Sequence, residues 1–189
     1  GINGQIVASA ETTGPTKNKI LAKFSDSSKG VYYVYIIMTG AETLLLMLGG
    51  LPIYDALIHT FGTVGTGGLS IYNASIGHYN NVYVEIVVAV FMFLAAINFN
   101  LFYMVKKRGV LQIFKDEETK FYTTVTISAG LLIAVYNFIS DSFSQFGEKL
   151  LNSFFQVISI LTTTGYATDD YDVWPTFSKM VLFTLFFIG

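Results

Sequence analysis

The chain has 189 residues, of which 52% are hydrophobic and only 13% are charged, and its mean hydropathy is +0.55. Soluble domains carry about a quarter charged residues, so this composition predicts a membrane protein. Because the chain contains no cysteine, disulfides, thiolate metal sites and cysteine nucleophiles are excluded. Its net charge of −2 argues against a nucleic-acid partner.

Residues 1–30 are polar and lack the apolar stretch of a signal peptide, so we expect a cytoplasmic N-terminal segment. The chain begins without Met and stops at Gly189 inside an apolar run. We therefore expect it to be a fragment of a longer polypeptide.

Long apolar segments that suit the ~20 residues of a transmembrane helix occupy residues 31–51, 82–105, 121–140 and, cut short, 177–189. Two shorter apolar segments, 53–62 and 150–161, are too brief to span, and we predict re-entrant half-helices. The chain then divides into a pore unit over 31–105, a cytoplasmic loop over 106–120 and a second pore unit over 121–189.

The basic residues are distributed unevenly. Nine of the eleven Lys and Arg precede the first span or lie between the second and third. The positive-inside rule makes these two segments cytoplasmic. Both half-helices and the polar segments after them are then expected to open toward the outside.

A Gly/Thr-rich motif follows each half-helix. The two copies are Thr63-Val64-Gly65-Thr66-Gly67-Gly68 and Thr162-Thr163-Thr164-Gly165-Tyr166-Ala167. An offset of 98 positions aligns Gly67 with Gly165 and Thr66 with Thr164. This repetition predicts duplicated membrane units around a shared axis.

The chemistry of the motif suits a cation. Glycine permits backbone conformations that direct successive carbonyls toward an ion, and carbonyl rings replace the hydration shell of K⁺ in channel filters. The half-helix before each motif would direct its partially negative C-terminal end toward the membrane centre. The fold class predicted is an all-α integral membrane protein built from span–re-entrant pore loop–span repeats of the potassium-channel-like type.

The two motifs and their flanks resemble the Trk/Ktr/HKT superfamily of potassium transporters, most closely its bacterial TrkH/KtrB branch. The resemblance depends on residues 61–70 and 73–77, on the string from Thr162 to Tyr171, and on Trp174-Pro175. The second motif also resembles the Thr-Val-Gly-Tyr-Gly filter of potassium channels, with Ala167 replacing the last glycine. The segment order matches over nearly the whole chain.

The resemblance implies four pore units around one pore, of which this chain holds the second and third. It implies K⁺ bound at Thr66, Gly67, Thr164 and Gly165, although Gly65 remains an alternative filter glycine in the first motif. It also implies a homodimer in the bacterial inner membrane and a cytoplasmic nucleotide-binding regulatory subunit of the TrkA/KtrA type. Transport of K⁺ alone and transport coupled to Na⁺ or H⁺ both stay open.

Acidic residues lie beside the second motif, and Asp169, Asp170 and Asp172 are candidates for an outer vestibule that enriches cations. Glu42 could be a pathway group or a structural group, because charges inside a membrane are rarely incidental. For His59, on the first half-helix, a packing role is favoured over a pH-sensitive one.

Two other functions compete with ion transport. An intramembrane enzyme would need a nucleophile–base pair, facing aspartates or a metal motif, and the sequence contains no such pattern. A non-conducting membrane scaffold is the remaining alternative, which a flux measurement in liposomes would distinguish from a transporter.

Overall fold

We describe the protein from a computed structural model. The structure describes residues 24–102, 109, 113, 115–140 and 146–189, with side chains from residue 30 onward. Its α-helices in these ranges are α1 (Phe24–Leu48), α2 (Ile53–Val64), α3 (Val82–Ala95), α4 (Glu117–Ser140), α5 (Phe146–Leu161) and α6 (Thr176–Leu185). Residues 1–23 of the predicted N-terminal segment and seven of the fifteen residues of the predicted 106–120 loop lie outside the described residues.

The described helices and loops confirm the all-α class. Two helical segments, Gly30–Leu48 and Glu117–Ser140, are long and apolar enough to cross a membrane, whereas α3 and α6 are shorter. Both short helices α2 and α5 begin and end within a few residues of the predicted half-helices, at Ile53–Val64 and Phe146–Leu161.

Local sequence explains where several helices begin and end. α1 stops before Gly50, which adopts a left-handed φ of 94°, a conformation that glycine accepts without steric cost. Pro52 precedes α2 and Pro175 precedes α6, where the missing N–H and fixed φ of proline favour a helix start. Asp116 caps α4, since its carboxylate accepts hydrogen bonds from the backbone N–H and the hydroxyl of Thr119.

Four threonines within the two long helices donate their hydroxyls to carbonyls of their own helix. Thr39 and Thr43 in α1 donate to the carbonyls four residues earlier at 2.8 Å, and Thr123 and Thr126 in α4 do the same at 2.7 and 2.9 Å. An unsatisfied hydroxyl would be costly in a hydrocarbon environment. Threonine is therefore compatible with these spans.

The continuous second span predicted over 82–105 is wrong in its second half. Helix α3 ends at Ala95, and the chain turns before it becomes helical again at residues 99–102. The reason is local: the Asn98 side-chain oxygen accepts a hydrogen bond from the Asn100 N–H at 3.0 Å. This is the geometry of a helix N-cap, and it competes with continuation of the helix.

In each half, the chain leaves the end of the long helix, forms the short helix, and then returns to the end of the same long helix. The Asn81 amide, at the start of α3, donates to the Gly49 carbonyl at the end of α1 at 3.1 Å. In the second half, the Ser178 hydroxyl in α6 donates to the Asn137 side chain near the end of α4 at 2.6 Å. A chain that leaves and returns at one level is compatible with the re-entrant loops predicted from the sequence.

The two halves repeat the same packing. In each, the long helix, the short helix and the following helix contact one another, and the halves meet mainly where α3 packs against α5. The core around α1, α2 and α3 also contains Phe155, Ile158 and Tyr166 from the second half. The short helix of the second half thus helps to form the core of the first.

Candidate functional site

The two Gly/Thr motifs form turns with the same hydrogen-bond pattern. At the end of α2, the N–H groups of Gly67 and Gly68 both donate to the Gly62 carbonyl, at 2.8 and 3.1 Å. At the end of α5, those of Thr164 and Gly165 both donate to the Ser159 carbonyl, at 3.0 and 3.2 Å. We call residues 65–68 turn 1 and residues 162–165 turn 2.

This pattern corrects the offset of the repeat from 98 to 97 residues. The helices end at Val64 and Leu161, and the left-handed residues Thr66 and Thr163 follow at the same distance. Gly68 (φ 59°) is consequently the structural equivalent of Gly165 (φ 86°), not Gly67 or Gly65. The offset of 98 came from aligning the Thr-Gly pairs of the two motifs. The offset of 97 comes from aligning the helix ends and the left-handed residues, which define the conformation of each turn.

The hydrogen bonds of the turns orient their carbonyls. In a trans peptide the C=O points opposite to the next residue's N–H, so the carbonyls of Thr66 and Gly67 point away from the end of α2. Those of Thr163 and Thr164 point away from the end of α5 for the same reason. Within the described residues, the carbonyl oxygens of turns 1 and 2 accept no hydrogen bond. No donor for them is found in that part of the chain, and the Thr164 oxygen lies against Gly68.

The turns contact each other at Gly68. A Cβ atom at this position would collide with the Thr164 carbonyl oxygen. Gly68 also has a left-handed φ, so glycine is required there for two independent reasons. At Gly67 and Gly165, an added Cβ atom would meet nothing within 4 Å, so both positions border open space.

The predicted filter residues separate into two groups. The backbone of the turns is partly accessible at Gly65, Thr66, Gly67, Gly68, Thr163 and Gly165. The side chains that are instead packed in the interior are those of Thr63, Val64, Thr162, Thr164 and Tyr166. Buried hydroxyls are occupied: Thr63 donates to the His59 carbonyl at 2.8 Å, and Thr162 and Thr164 bond each other at 2.7 Å. Their side chains therefore support the turns.

Tyr166 is the largest fully buried side chain. Its hydroxyl lies in the first half of the molecule, where its one proton is shared between the carbonyls of Leu69 at 2.9 Å and His59 at 3.1 Å. Ala167 continues this junction, since its N–H donates to the Ser75 hydroxyl at 3.3 Å and its carbonyl accepts from the Gly77 N–H at 3.1 Å. The segment after turn 2 is thus fastened to the loop after turn 1.

His59 has the packing role favoured from the sequence. It is fully buried, with Nδ1 at 2.8 Å from the Asp55 carbonyl and Nε2 at 3.1 Å from the Ser70 hydroxyl. A carbonyl only accepts, so Nδ1 carries the proton in this arrangement and Nε2 accepts from Ser70. The imidazole links α2 to the segment that follows turn 1.

Asp55, which no sequence pattern singled out, anchors the loop that follows turn 1. Its carboxylate accepts hydrogen bonds from the hydroxyls of Tyr72 at 3.2 Å and Tyr79 at 2.9 Å. The bond to Asp55 raises the pKa of Tyr72, and burial followed by the same carboxylate raises the pKa of Tyr79. Both phenols therefore remain protonated donors at neutral pH.

Among the predicted vestibule residues, Asp169 differs from the others. Its carboxylate accepts from the Trp174 indole N–H at 3.0 Å and faces the Asn152 amide at 3.5 Å. Asn152 is the equivalent of Asp55 at the offset of 97, so both short helices hold the following loop from the same position. Asp170 and Asp172 are exposed, as a vestibule role requires.

Glu42 lies completely buried in α1, and its carboxylate oxygens have no hydrogen-bond partner within the described residues. Glu85 in α3 is also buried. No group of three or more His, Cys, Asp or Glu that could hold a metal ion is found in the part of the chain that the structure describes.

Comparisons with known proteins agree with this architecture. The family model described as "TrkH: Cation transport protein" matches residues 28–189. The chain is 29% identical to the Trk system potassium uptake protein TrkH of Salmonella typhimurium and 32% identical to TrkG of Escherichia coli, over 191 residues and 100% of this chain in each case. It spans only 40% and 39% of those relatives' lengths.

The crystal structure of the potassium transporter TrkH from Vibrio parahaemolyticus has the same fold, with a TM-score of 0.83 at 24% identity, over 95% of this chain and 38% of that one. The family and the two apolar helices make the chain a membrane protein. Since the family model covers all but the first 27 residues, the chain belongs to the TrkH family of cation transport proteins.

Proposed function

We propose that this chain provides two pore units of a potassium transporter, in which K⁺ is coordinated by backbone carbonyls of turns 1 and 2. The observation that carries the proposal is the pair of turns whose N–H groups donate to carbonyls at the helix ends, while the carbonyls of the turns accept no hydrogen bond from any described residue. Unpaired carbonyl dipoles are the ligands with which K⁺ channels replace the hydration shell. The relatives' names, potassium uptake proteins, support K⁺ as the ion.

Electrostatics favour a cation at this place. Both turns follow directly the C-terminal ends of α2 and α5, where the helix macrodipole is partially negative. An anion would meet the same partial charges unfavourably. The carbonyl set is that of Thr66 and Gly67 in turn 1 and of Thr163 and Thr164 in turn 2, so Thr163 replaces Gly165 among the K⁺ ligands expected from the sequence.

The remaining components of the system are part of the same proposal. The other pore units of the full-length chain complete the ring of carbonyls, and the bilayer is that of the bacterial inner membrane. A homodimer and a cytoplasmic nucleotide-binding regulatory subunit complete the assembly. Purification of the full-length protein with and without that subunit, followed by measurement of its mass in solution, tests both associations.

The test of the ion assignment is Gly165→Ser in the full-length protein, measured as Rb⁺ uptake by cells that lack other K⁺ uptake systems. A side chain at a left-handed residue in open space alters the turn without a collision. We expect Na⁺ to compete with Rb⁺ in the variant far better than in the wild type. Unchanged ion competition in a variant that still transports would refute the role of turn 2.

A further inference from the structure

Two carbonyls that are equivalent at the offset of 97 residues each accept a hydrogen bond from a hydroxyl. The two hydroxyls come from different positions in the chain. In the second half, the Ser159 hydroxyl donates to the carbonyl of Tyr166, the first residue after turn 2, at 2.6 Å. In the first half, the position of Ser159 is taken by Gly62, which has no hydroxyl. The equivalent carbonyl, that of Leu69, accepts instead from the Tyr166 hydroxyl at 2.9 Å.

The Tyr166 hydroxyl occupies the space that a side chain at Gly62 would take. A Cβ atom built on Gly62 collides with this hydroxyl. Gly62 is inside α2 and has no left-handed φ, so its backbone does not require glycine. The absence of a side chain at Gly62 is explained by the phenol that arrives from the other half.

Resting on the proposed function, we propose that Tyr166 is a positioning residue for the ion site: its phenol, reaching across from the second pore unit, sets turn 1 in the way that Ser159 sets turn 2. The residue after each turn is held by one hydroxyl, and the carbonyls of Thr66 and Gly67 keep their direction because the turn is fixed at both ends. The bond also couples the two units, since the group that fixes turn 1 belongs to the chain segment that leaves turn 2.

The experiment uses Tyr166→Phe, Gly62→Ser and the double variant in the full-length protein. Tyr166→Phe removes the hydroxyl and keeps the ring, and we expect Na⁺ to inhibit Rb⁺ uptake at about fivefold lower concentration, the effect of one lost hydrogen bond. Gly62→Ser alone should impair the protein through the collision. Together the two changes place a serine hydroxyl where Ser159 has one, and most of the wild-type discrimination should return.

Tyr122→Phe is the matched control, because the Tyr122 hydroxyl is buried without a partner among the described residues. It should leave ion discrimination unchanged. Since the Cζ atom of Tyr166 lies 3.0 Å from a Cβ built on Gly62, the double variant with Tyr166→Leu provides a second, less crowded rescue. Leucine is the residue found at the equivalent position 69.

The proposal would be overturned if Tyr166→Phe discriminated Rb⁺ from Na⁺ as well as the wild type does. It would also be overturned if adding Gly62→Ser restored ion discrimination in neither Tyr166→Phe nor Tyr166→Leu. Thermal unfolding of the same variants distinguishes a failure of the positioning role of Tyr166 from a failure of the proposed K⁺ transport function. If the wild type does not transport K⁺, the proposed function fails. The contact is then still tested, because Gly62→Ser must lower the unfolding temperature less in the Tyr166→Phe background than alone.

Discussion

At the scale of single residues, the site depends on backbone positions more than on the side chains that make the motif recognisable. The glycines of turn 1 illustrate this, since Gly67 and Gly68 are adjacent but have different surroundings. Gly68 has a left-handed φ and lies against the Thr164 carbonyl, whereas Gly67 has neither constraint.

We therefore expect Gly68→Ala to destabilise the full-length protein by at least about 2 kcal/mol, because a left-handed alanine alone costs roughly 1–2 kcal/mol and the collision adds to it. Gly67→Ala is the control and should stay within about 0.5 kcal/mol. Thermal unfolding of the purified variants measures both. A larger loss of stability in Gly67→Ala than in Gly68→Ala would contradict the 97-residue offset and support the offset of 98.

The acidic residues near turn 2 should also separate by role. Asp169→Asn weakens the contact to the Trp174 indole and should lower thermal stability. The exposed pair Asp170 and Asp172 should act through the electrostatic field, so Asp172→Asn is expected to raise the KM for Rb⁺ by about twofold at low ionic strength. That effect should vanish in high salt, where the Debye length is a few ångström. A salt-independent change would contradict a vestibule role.

At the scale of elements, a polar contact joins each returning segment to its long helix. Ser178 and Asn137 are both buried and bond at 2.6 Å, which joins α6 to α4. A buried amide without its partner is costly.

Ser178→Ala should accordingly lower the free energy of unfolding by about 1 kcal/mol, in the range measured for hydrogen bonds between membrane helices. Thr184→Ala is a control in the same helix, because Thr184 is exposed and its hydroxyl donates to the Met180 carbonyl of its own helix. Unfolding in detergent, followed by helicity, compares the two. Equal losses would show that the interhelical bond does not contribute.

At the scale of the whole molecule, the proposed function requires more than two pore units, because two would provide only part of the coordination that a dehydrated K⁺ needs. The chain spans about two fifths of the relatives that it matches. We expect liposomes containing residues 1–189 alone to show no K⁺-selective flux, whereas liposomes with the full-length protein do. Selective flux through the short chain would require its copies to assemble into a complete ring.

Much of the architecture follows from the sequence. Low charge and four long apolar segments predict a helical membrane protein, and the shorter segments predict the two half-helices to within a few residues. Pro52, Gly50 and Pro175 mark helix ends through their own backbone restrictions. The interruption after Ala95 escaped prediction because its flanking residues are apolar and only the cap at Asn98 opposes the helix.

The sequence by itself determined the class of protein, the order of the helices and the Gly/Thr composition of the turns, since all three arise from hydropathy and local backbone preference. Only the tertiary structure decided the 97-residue register, the equivalence of Gly68 with Gly165 and the position of the Tyr166 hydroxyl. That hydroxyl contacts carbonyls 97 and 107 residues earlier in the chain. Such contacts depend on how the two halves pack together, and local sequence preference does not encode them.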